Sequence, residues 1–446
     1  MVKTLMRSVR EYKKSSILTP VFVTFEVILE VIIPLLMAKL IDYGIEAGNM
    51  QYILKMGAIL VICCIVSLTF GALSGKYAAV ASAGFAKNLR MDMYNKVQEY
   101  SFSNIDKFSA ASIVTRLTTD ITNIQNAYQM AIRVAVRSPI MLIFALFMAF
   151  QINSHLAPIF VIAIPILAVG LWLIIQNAKT IFERVFRTYD HLNNVVQENL
   201  HGIRVVKSFV REDHETEKFG KVSQTIYKDF SKAERILAFN APLMQFCAYG
   251  CMLLISWLGA KLIVASGNNP AVGMTTGDLT SMFSYTMQIL MSLMMFSMVF
   301  VMITISYASM ERAVEILNEE SDIHNPEHPI SQVEDGSIVF ENVSFRYGKN
   351  ADKLCLDHIN LNIPAGATVG IIGGTGSSKS TLVQLIPRLY DVSEGSVKVG
   401  GRDVREYDLE TLRQQVAMVL QKNVLFSGTI KDNLRWGKED ATDEEM

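Results

Sequence analysis

The sequence has few charged residues for its length. Asp, Glu, Lys and Arg make up 19% of its 446 residues, against about 25% in an ordinary soluble domain. The formal net charge is −1, so we expect no nucleic-acid partner attracted by bulk charge. Hydrophobic residues account for 51% of the chain, and the mean hydropathy is +0.30. This composition is typical of a membrane protein, and the length allows two or three domains.

Cysteine is also scarce, with five residues in the whole chain. Four lie in apolar segments and Cys355 lies in the C-terminal region, so we expect free buried thiols rather than disulfides. Cys247 and Cys251 share a helix face, but no cluster of His or carboxylate residues joins them. A metal site is therefore not predicted there. We expect no cleavable signal peptide, because the first apolar stretch is too long and contains Glu.

Six apolar segments are each close to the ~20 residues that cross a bilayer. They are residues 17–41, 53–79, 139–152, 156–175, 236–265 and 279–307. Only Asn153, Ser154 and His155 separate the third segment from the fourth, which predicts a tight helical hairpin.

Lys and Arg are missing from three of the connections between these segments, residues 42–52, 153–155 and 266–278. The N-terminal leader and the two remaining connections between segments are rich in both. The positive-inside rule therefore predicts that both termini are cytoplasmic. The two basic connections contain Pro-free stretches of helix-forming residues. We expect the membrane helices to continue through them, about 30 Å beyond the bilayer for ~20 residues.

The pattern changes after the sixth segment. Residues 321–336 are polar with two prolines, which predicts a linker. An α/β pattern follows, with strands expected at several places and a turn-rich hairpin between them. The expected strands are 338–347, 359–363, 367–372 and 416–420, and the expected hairpin is 395–402.

The strongest motif lies between the expected strand 367–372 and a helix-forming run. It consists of Gly373, Gly374, Thr375, Gly376, Ser377, Ser378, Lys379, Ser380 and Thr381. A strand that delivers a small-residue loop to a helix N-terminus predicts a phosphate-binding loop, whose backbone N–H groups close around the anion. Lys379 is expected to reach the β- and γ-phosphates, and Ser380 to ligate Mg²⁺.

One position departs from this motif, because Ser378 stands where the pattern has glycine. A left-handed backbone costs a residue other than glycine roughly 1–2 kcal/mol. The alternative interpretation is a Gly/Ser turn with a chance lysine.

Together these features resemble a half-transporter of the ATP-binding-cassette (ABC) exporter class. The resemblance rests on the six spans, the long basic connections, Phe345-Arg-Tyr347, the 373–381 motif and Gln421-Lys-Asn-Val-Leu-Phe426. Residues 112–120 and 195–211 are similar to bacterial multidrug-type exporters, especially those that act as heterodimers.

The resemblance implies an all-α six-helix transmembrane domain followed by part of an α/β P-loop nucleotide-binding domain. Its boundaries are expected at 1–320 for the membrane domain, 321–336 for the linker and 337–446 for the nucleotide domain. It also implies ATP-driven export of small amphipathic molecules across the bacterial cytoplasmic membrane, together with a second half-transporter. A heterodimer is favoured over a homodimer. A regulatory or catalytically weak partner subunit, and a lipid or peptide exporter, stay open as alternatives.

Site residues carry over from the family only where this sequence matches it. Tyr347 looks like the aromatic that stacks on adenine, and Gln421 resembles the residue that contacts Mg²⁺ and transmits the nucleotide state. Lys379, Ser380 and Thr381, with the backbone of 374–378, are expected to hold the phosphates of ATP. The family's signature sequence, Asp-Glu pair and switch histidine are not found before Met446. We therefore expect that the chain as given does not complete a hydrolytic site.

Two further predictions concern coupling and cargo. Short coupling helices are expected near 101–108 and 208–214, with solvated turns as the alternative. Glu26 and Glu30 share one face in the middle of the first span, where carboxylates are costly and often functional. They are candidates to line a cavity for cationic cargo, or else are buried against a partner. The methionines between 282 and 302 either pack or line the same cavity.

Overall fold

The computed structural model describes residues 1–269, 273–347, 353–421 and 424–446, without the side chains of residues 179, 183, 186 and 190. The chain divides into two compact units. The first unit comprises Met1–Tyr94 and Thr115–Leu317, and the second comprises Asn95–Val114 and Asn318–Met446.

Helices account for nearly all of the first unit. In chain order the helices of the described chain are α1 (Val2–Met6), α2 (Lys13–Leu40), α3 (Met50–Gln98), α4 (Phe102–Phe108), α5 (Ala110–Thr115), α6 (Ile121–Ile152), α7 (Pro158–His201), α8 (Ile203–Ser208), α9 (Glu212–Leu237), α10 (Asn240–Ser266), α11 (Thr276–Asn318), α12 (Lys379–Gln384), α13 (Leu409–Gln415) and α14 (Ile430–Leu434). A 3₁₀ segment follows α1, and π-helical turns follow α2 and α5.

Within the described residues, six helical stretches are long and apolar enough to cross a membrane. They are Val2–Glu46, Met50–Gln98, Ala110–Ile152, Pro158–His201, Glu212–Ser266 and Thr276–Asn318. The six predicted spans are confirmed. At 49 residues, α3 is about 73 Å long, more than twice the ~30 Å hydrocarbon core. A helix of this length that crosses the bilayer would extend well beyond it, which agrees with the predicted extensions.

The predicted hairpin between the third and fourth spans is present between α6 and α7. Asn153 Oδ1 accepts hydrogen bonds from the backbone N–H groups of His155, at 2.9 Å, and Leu156, at 3.2 Å. Pro158 then occupies the first turn of α7, where its missing N–H costs nothing.

The short helix predicted at 101–108 is confirmed as α4, but the second is shifted. Ser101 caps α4 in a capping box with Asn104, which satisfies two backbone donors at the helix start. The second short helix is α8, which ends at Ser208, so the prediction of 208–214 was wrong. Gly202 interrupts the long helix earlier than expected, and Val210 has a left-handed backbone (φ 51°) that makes 209–211 a turn.

The second unit contains a four-stranded antiparallel sheet with the strand order β2-β1-β3-β4. The strands are β1 (Ile338–Phe345), β2 (Leu356–Ile363), β3 (Glu394–Val399) and β4 (Arg402–Asp403). The predicted hairpin is confirmed, since Gly400 and Gly401 join β3 to β4 with φ values of 56° and 77°. Such a two-residue turn needs positive φ at both positions, which favours glycine. Buried side chains such as Phe340, Val343 and Tyr407 form the core beneath the sheet.

Two predicted strands, 367–372 and 416–420, are not strands in the structure. Their apolar side chains include Ile372 and Val419, which are 98% and 88% exposed. A strand needs a neighbouring strand to complete its hydrogen bonds. Neither segment has such a neighbour among the described residues, so apolar character alone did not produce these two strands.

The predicted linker 321–336 contains no helix or strand. It is nevertheless attached near its middle, where the Ile330 N–H donates to the carbonyl of Glu406 at 2.9 Å. The Ile330 carbonyl in turn accepts from the N–H of Asp408 at 3.0 Å.

Candidate functional site

The loop that begins at Gly373 leads directly into α12. Its last residue before the helix, Ser378, has φ 58° and ψ 24°, which confirms the left-handed backbone expected where the pattern has glycine. Gly376 also has a positive φ, at 83°. A side chain at Gly373 would lie only 2.6 Å from Ser377 Oγ. The loop therefore uses small residues where its backbone turns tightly.

Lys379 folds back over this loop. Its ammonium group donates hydrogen bonds to the carbonyl oxygens of Gly373, at 2.9 Å, and Gly374, at 2.8 Å, and to Ser377 Oγ, at 3.2 Å. All three acceptors are neutral, and hydrogen bonds to an anionic oxygen are about twice as strong. A phosphate can therefore replace these contacts with stronger ones.

The two predicted Mg²⁺ ligands lie side by side. The Gln421 amide donates to Ser380 Oγ at 2.9 Å, although the residues are 41 positions apart. A hydroxyl and an amide carbonyl oxygen are ligand types that Mg²⁺ accepts, together with phosphate oxygens. The residues therefore fit Mg·ATP, and their role in binding it stays a prediction.

Tyr347, the predicted adenine-stacking residue, lies against the start of the same helix. Its hydroxyl oxygen is 2.9 Å from Thr381 Oγ1 and 3.2 Å from Gln384 Oε1. Its ring packs edge-on against Phe345 and Tyr390, with centroids 4.9 Å and 5.2 Å away. The side of the ring that these contacts leave open is available to a purine, since Tyr347 is 45% exposed.

Tyr390 connects this aromatic group to α4, and sequence reasoning missed it. Its hydroxyl donates to Asp106 Oδ2 at 2.7 Å, and its ring lies 6.0 Å from that of Phe102. Burial, and then the contact with Asp106, raises the pKa of the Tyr390 hydroxyl, so this group stays a proton donor at neutral pH. No motif marks Tyr390 in the sequence, because its role depends on a helix almost 300 residues earlier.

Further polar contacts hold α4 within the second unit. Asn104 Nδ2 and Lys107 Nζ donate to the two carboxylate oxygens of Glu319, at 3.0 Å and 2.7 Å. Ser103 Oγ donates to Asp322 at 2.7 Å. The short helix is thus bonded both to Tyr390 and to the segment that follows α11.

A separate charged group lies inside the first unit. Arg137 on α6 donates to Glu26 Oε1 at 2.5 Å and to both carboxylate oxygens of Glu30, at 2.8 Å and 2.7 Å. Glu26 is buried, and its second oxygen accepts from Ser74 Oγ at 3.4 Å. Gly71 of α3 makes room for it, because a side chain there would lie 3.0 Å from the carboxylate.

This group corrects the predicted start of the third span. The third span was expected to begin at residue 139, which placed Arg137 in a cytoplasmic connection. The helix in fact continues past it, and Arg137 contacts the middle of α2. Arg137 pairs with both Glu26 and Glu30, and a role of these carboxylates toward a cargo stays a prediction.

Glu30 and Arg137 lie in the wall of a cavity of about 750 Å³. The wall also includes Arg133, Gln288 and a flexible apolar face. That face contains Met141, Met287, Met291, Met294 and Met295. Of the methionines considered in the sequence, Met282 is fully buried, so packing and cavity lining both occur.

Comparisons with known proteins identify the family. A model described as "ABC transporter transmembrane region" matches residues 16–294, and one described as "ABC transporter" matches residues 356–446. The chain therefore belongs to the ABC transporter family. Membership makes it a multi-pass membrane protein and part of an ATP-coupled transporter, and half-transporters of this family generally dimerise.

Among its relatives is the uncharacterized ABC transporter ATP-binding protein YfiB of Bacillus subtilis, which is 33% identical and aligns with 94% of this chain and 72% of YfiB. The uncharacterized ABC transporter ATP-binding protein Rv1273c of Mycobacterium tuberculosis is 31% identical over 99% of this chain and 76% of its own length. The ATP-dependent lipid A-core flippase of Desulfotalea psychrophila is 30% identical over 85% of this chain and 66% of its own.

Proposed function

We propose that this protein uses ATP to export small amphipathic molecules across the bacterial cytoplasmic membrane, by alternating access in a dimer with a second half-transporter. The observation that carries the proposal is the cavity beside Arg137, which combines polar groups with adaptable methionines. Cavities with these two properties suit ligands that have a polar head and an apolar body.

Lys379, Ser380, Thr381 and the backbone of 374–378 would hold the nucleotide phosphates, with Gln421 beside the metal. Bound Mg·ATP would supply a transferable phosphoryl group, and this chemistry depends mostly on positioning and charge neutralisation. Lys379 would contribute the positive charge, because its present partners are neutral oxygens. Tyr347 would fix the adenine ring.

The contacts of α4 support a role in coupling. Its Asp106 is one hydrogen bond from Tyr390, which touches Tyr347 beside the phosphate loop. A shift of Tyr347 on nucleotide binding would therefore reach α4 through two packed side chains. Because α4 follows α3 directly, the motion would pass along the chain into a membrane helix.

The second short helix, α8, would serve the partner subunit. Its tip exposes Val205, Phe209 and Val210, which are 60%, 72% and 79% exposed. Apolar tips of this kind favour a protein surface as partner. The basic connections support cytoplasmic termini, which would put the phosphate loop in the compartment that contains ATP.

One relative supports a lipid-like cargo. The Desulfotalea relative is named as a lipid flippase, which supports a lipid-like amphiphile over a peptide for this chain. The domain boundaries proposed for these activities are 1–320, 321–336 and 337–446.

A second candidate function is a partner subunit with a weak nucleotide site. The strained Ser378 favours it, because the loop then needs about 1–2 kcal/mol from its surroundings to keep its shape. ATP hydrolysis by the purified dimer, compared with that of a Ser378→Gly dimer, separates the two functions. Rapid ATP hydrolysis by the wild-type dimer, which carries Ser378, supports the exporter.

The main test is Lys379→Ala in the assembled transporter, reconstituted into proteoliposomes. We expect ATP-dependent movement of amphipathic probes to be abolished, because no other cation among the described residues hydrogen-bonds to the loop and the phosphate charge then lacks its neutralising partner. Lys398→Ala is a matched control, since this lysine lies on the sheet and pairs with Glu341. Transport at the wild-type rate by the Lys379→Ala protein would refute the assignment.

A further inference from the structure

Arg133 is a cation in the cavity wall without a partner in the described chain. It lies one helical turn before Arg137 on α6, and it is half-buried. Arg137 uses its guanidinium on Glu26 and Glu30, whereas Arg133 makes no hydrogen bond or ion pair with any described residue. A guanidinium has five N–H donors, so Arg133 brings donors to the cavity that its own chain does not use.

This guanidinium lies next to α3. A side chain at Gly75 would lie 3.7 Å from Arg133 Nη1, an ordinary contact distance. The guanidinium therefore rests over the bare backbone at Gly75.

Gln288 provides an unused acceptor in the same wall. Its amide nitrogen donates to the Glu30 carbonyl at 3.3 Å, while its buried side-chain oxygen has no partner in the described chain. Buried polar atoms are usually hydrogen-bonded, and an exception needs an explanation. A ligand hydroxyl would complete this group.

The charged groups around the cavity favour an anionic ligand over a cationic one. Glu26 and Glu30 with Arg137 sum to −1, and Arg133 brings the four side chains to zero. The carboxylate oxygens already face Arg137 and Ser74. A lipophilic cation therefore finds no free carboxylate oxygen there, whereas an anion finds the free donors of Arg133.

We propose that Arg133 is the anion-binding residue of this cavity, and that the ligand is an amphiphile with an anionic phosphate or carboxylate head and a flexible apolar tail. The head would take the Arg133 donors, with a hydroxyl on Gln288, and the tail would pack on Met287, Met291 and Met295. This inference names a ligand class for the proposed exporter. Export of the ligand rests on the proposed function, whereas binding of the ligand does not.

Equilibrium binding without nucleotide tests the proposal on the full-length transporter with its partner subunit in nanodiscs. The probes are a fluorescent phosphatidylglycerol, a fluorescent fatty acid and a neutral fluorescent diacylglycerol. We expect Arg133→Gln to weaken binding of at least one anionic probe about tenfold, the effect of losing a hydrogen bond to a charged group. The probe that responds shows whether the anion is a phosphate or a carboxylate.

Two control variants separate charge from folding. Arg133→Lys keeps the charge and should retain most of the affinity. Lys76→Gln removes an exposed cation next to Gly75 and should bind every probe as the wild type does. Unchanged anionic affinity in Arg133→Gln, or an equal loss for the neutral probe, would overturn the proposal.

A transport assay with the same probes distinguishes this proposal from the proposed function. Binding that depends on Arg133, without ATP-driven movement of any probe, would support the anion site and refute export. ATP-driven movement of neutral or cationic compounds, with no effect of Arg133→Gln on any anionic probe, would support export and refute the anion site.

Discussion

Replacing Arg137 by methionine should destabilise the first unit through the charges that it leaves behind. Arg137 has 29% of its side chain exposed, Glu30 also 29% and Glu26 10%. Removing one partner of a buried ion pair costs about 3–5 kcal/mol, because the other charge stays buried. Since two of the three groups reach the cavity, we expect the lower end of this range, about 3 kcal/mol.

The compensating change is the decisive variant. Adding Glu26→Gln and Glu30→Gln to Arg137→Met removes all three charges, and uncharged replacements of buried ion pairs are often neutral in stability. The double variant with Glu26→Gln and Glu30→Gln, which keeps Arg137, should again be less stable than the wild type, because Arg137 is then unpaired. Stability should thus follow the balance of charge rather than the number of substitutions.

The relative stabilities of these variants can be measured in crude membranes by fluorescence-detected size-exclusion chromatography after heating. The same experiment gives the steady-state level of each variant. A loss of about 3 kcal/mol lowers the abundance of a marginally stable protein several-fold. If the triple variant is no more stable than Arg137→Met, the charges do not compensate one another and the reasoning is refuted. Ser74→Ala serves as a control, since it removes a long hydrogen bond to Glu26 and one to the Gly71 carbonyl but no charge.

Two further predictions concern the second unit. Ser378→Gly should leave ATP affinity equal or slightly tighter, because it relieves a left-handed backbone worth about 1–2 kcal/mol and glycine returns about 0.4–1 kcal/mol of this in the unfolded chain. Equilibrium binding of a fluorescent ATP analogue measures it, and a large loss would mean that the Ser378 hydroxyl contacts the nucleotide. Tyr390→Phe should keep ATP affinity while reducing ATP-driven transport, because it removes only the 2.7 Å hydrogen bond to Asp106, worth about 1.5–3 kcal/mol. Transport at the wild-type rate, or an equal loss of ATP affinity, would contradict the role given to α4.

Sequence reasoning succeeded where the signal is local. A span is a continuous apolar run, and a phosphate loop is nine consecutive residues between an apolar run and a helix. Both can be found without knowing the rest of the fold. The left-handed Ser378 also follows from one position in a motif.

It failed where the answer depends on residues far away in the chain. The third span was predicted to begin after Arg137, because a charged residue normally limits an apolar run. The two carboxylates that neutralise Arg137 within the membrane lie more than 100 residues earlier. The strand predicted at 367–372 required neighbouring strands that composition cannot supply. No sequence motif surrounds Tyr390, and only its contact with Asp106 shows that it connects the aromatic group to α4.

The pairing of Glu26 with Arg137 also has a consequence for how the protein is made. The two residues are 111 positions apart, and a ribosome adding ~5–20 residues per second needs roughly 5–20 s to cover that distance. During this time α2 has emerged with two carboxylates and no arginine. A charged residue at the centre of a lone helix opposes insertion by about 3 kcal/mol, so α2 has to wait in a polar or protein-lined setting until α6 follows. Insertion of these helices is then a joint step, and a chain that keeps both carboxylates but lacks Arg137 should be made in smaller amounts.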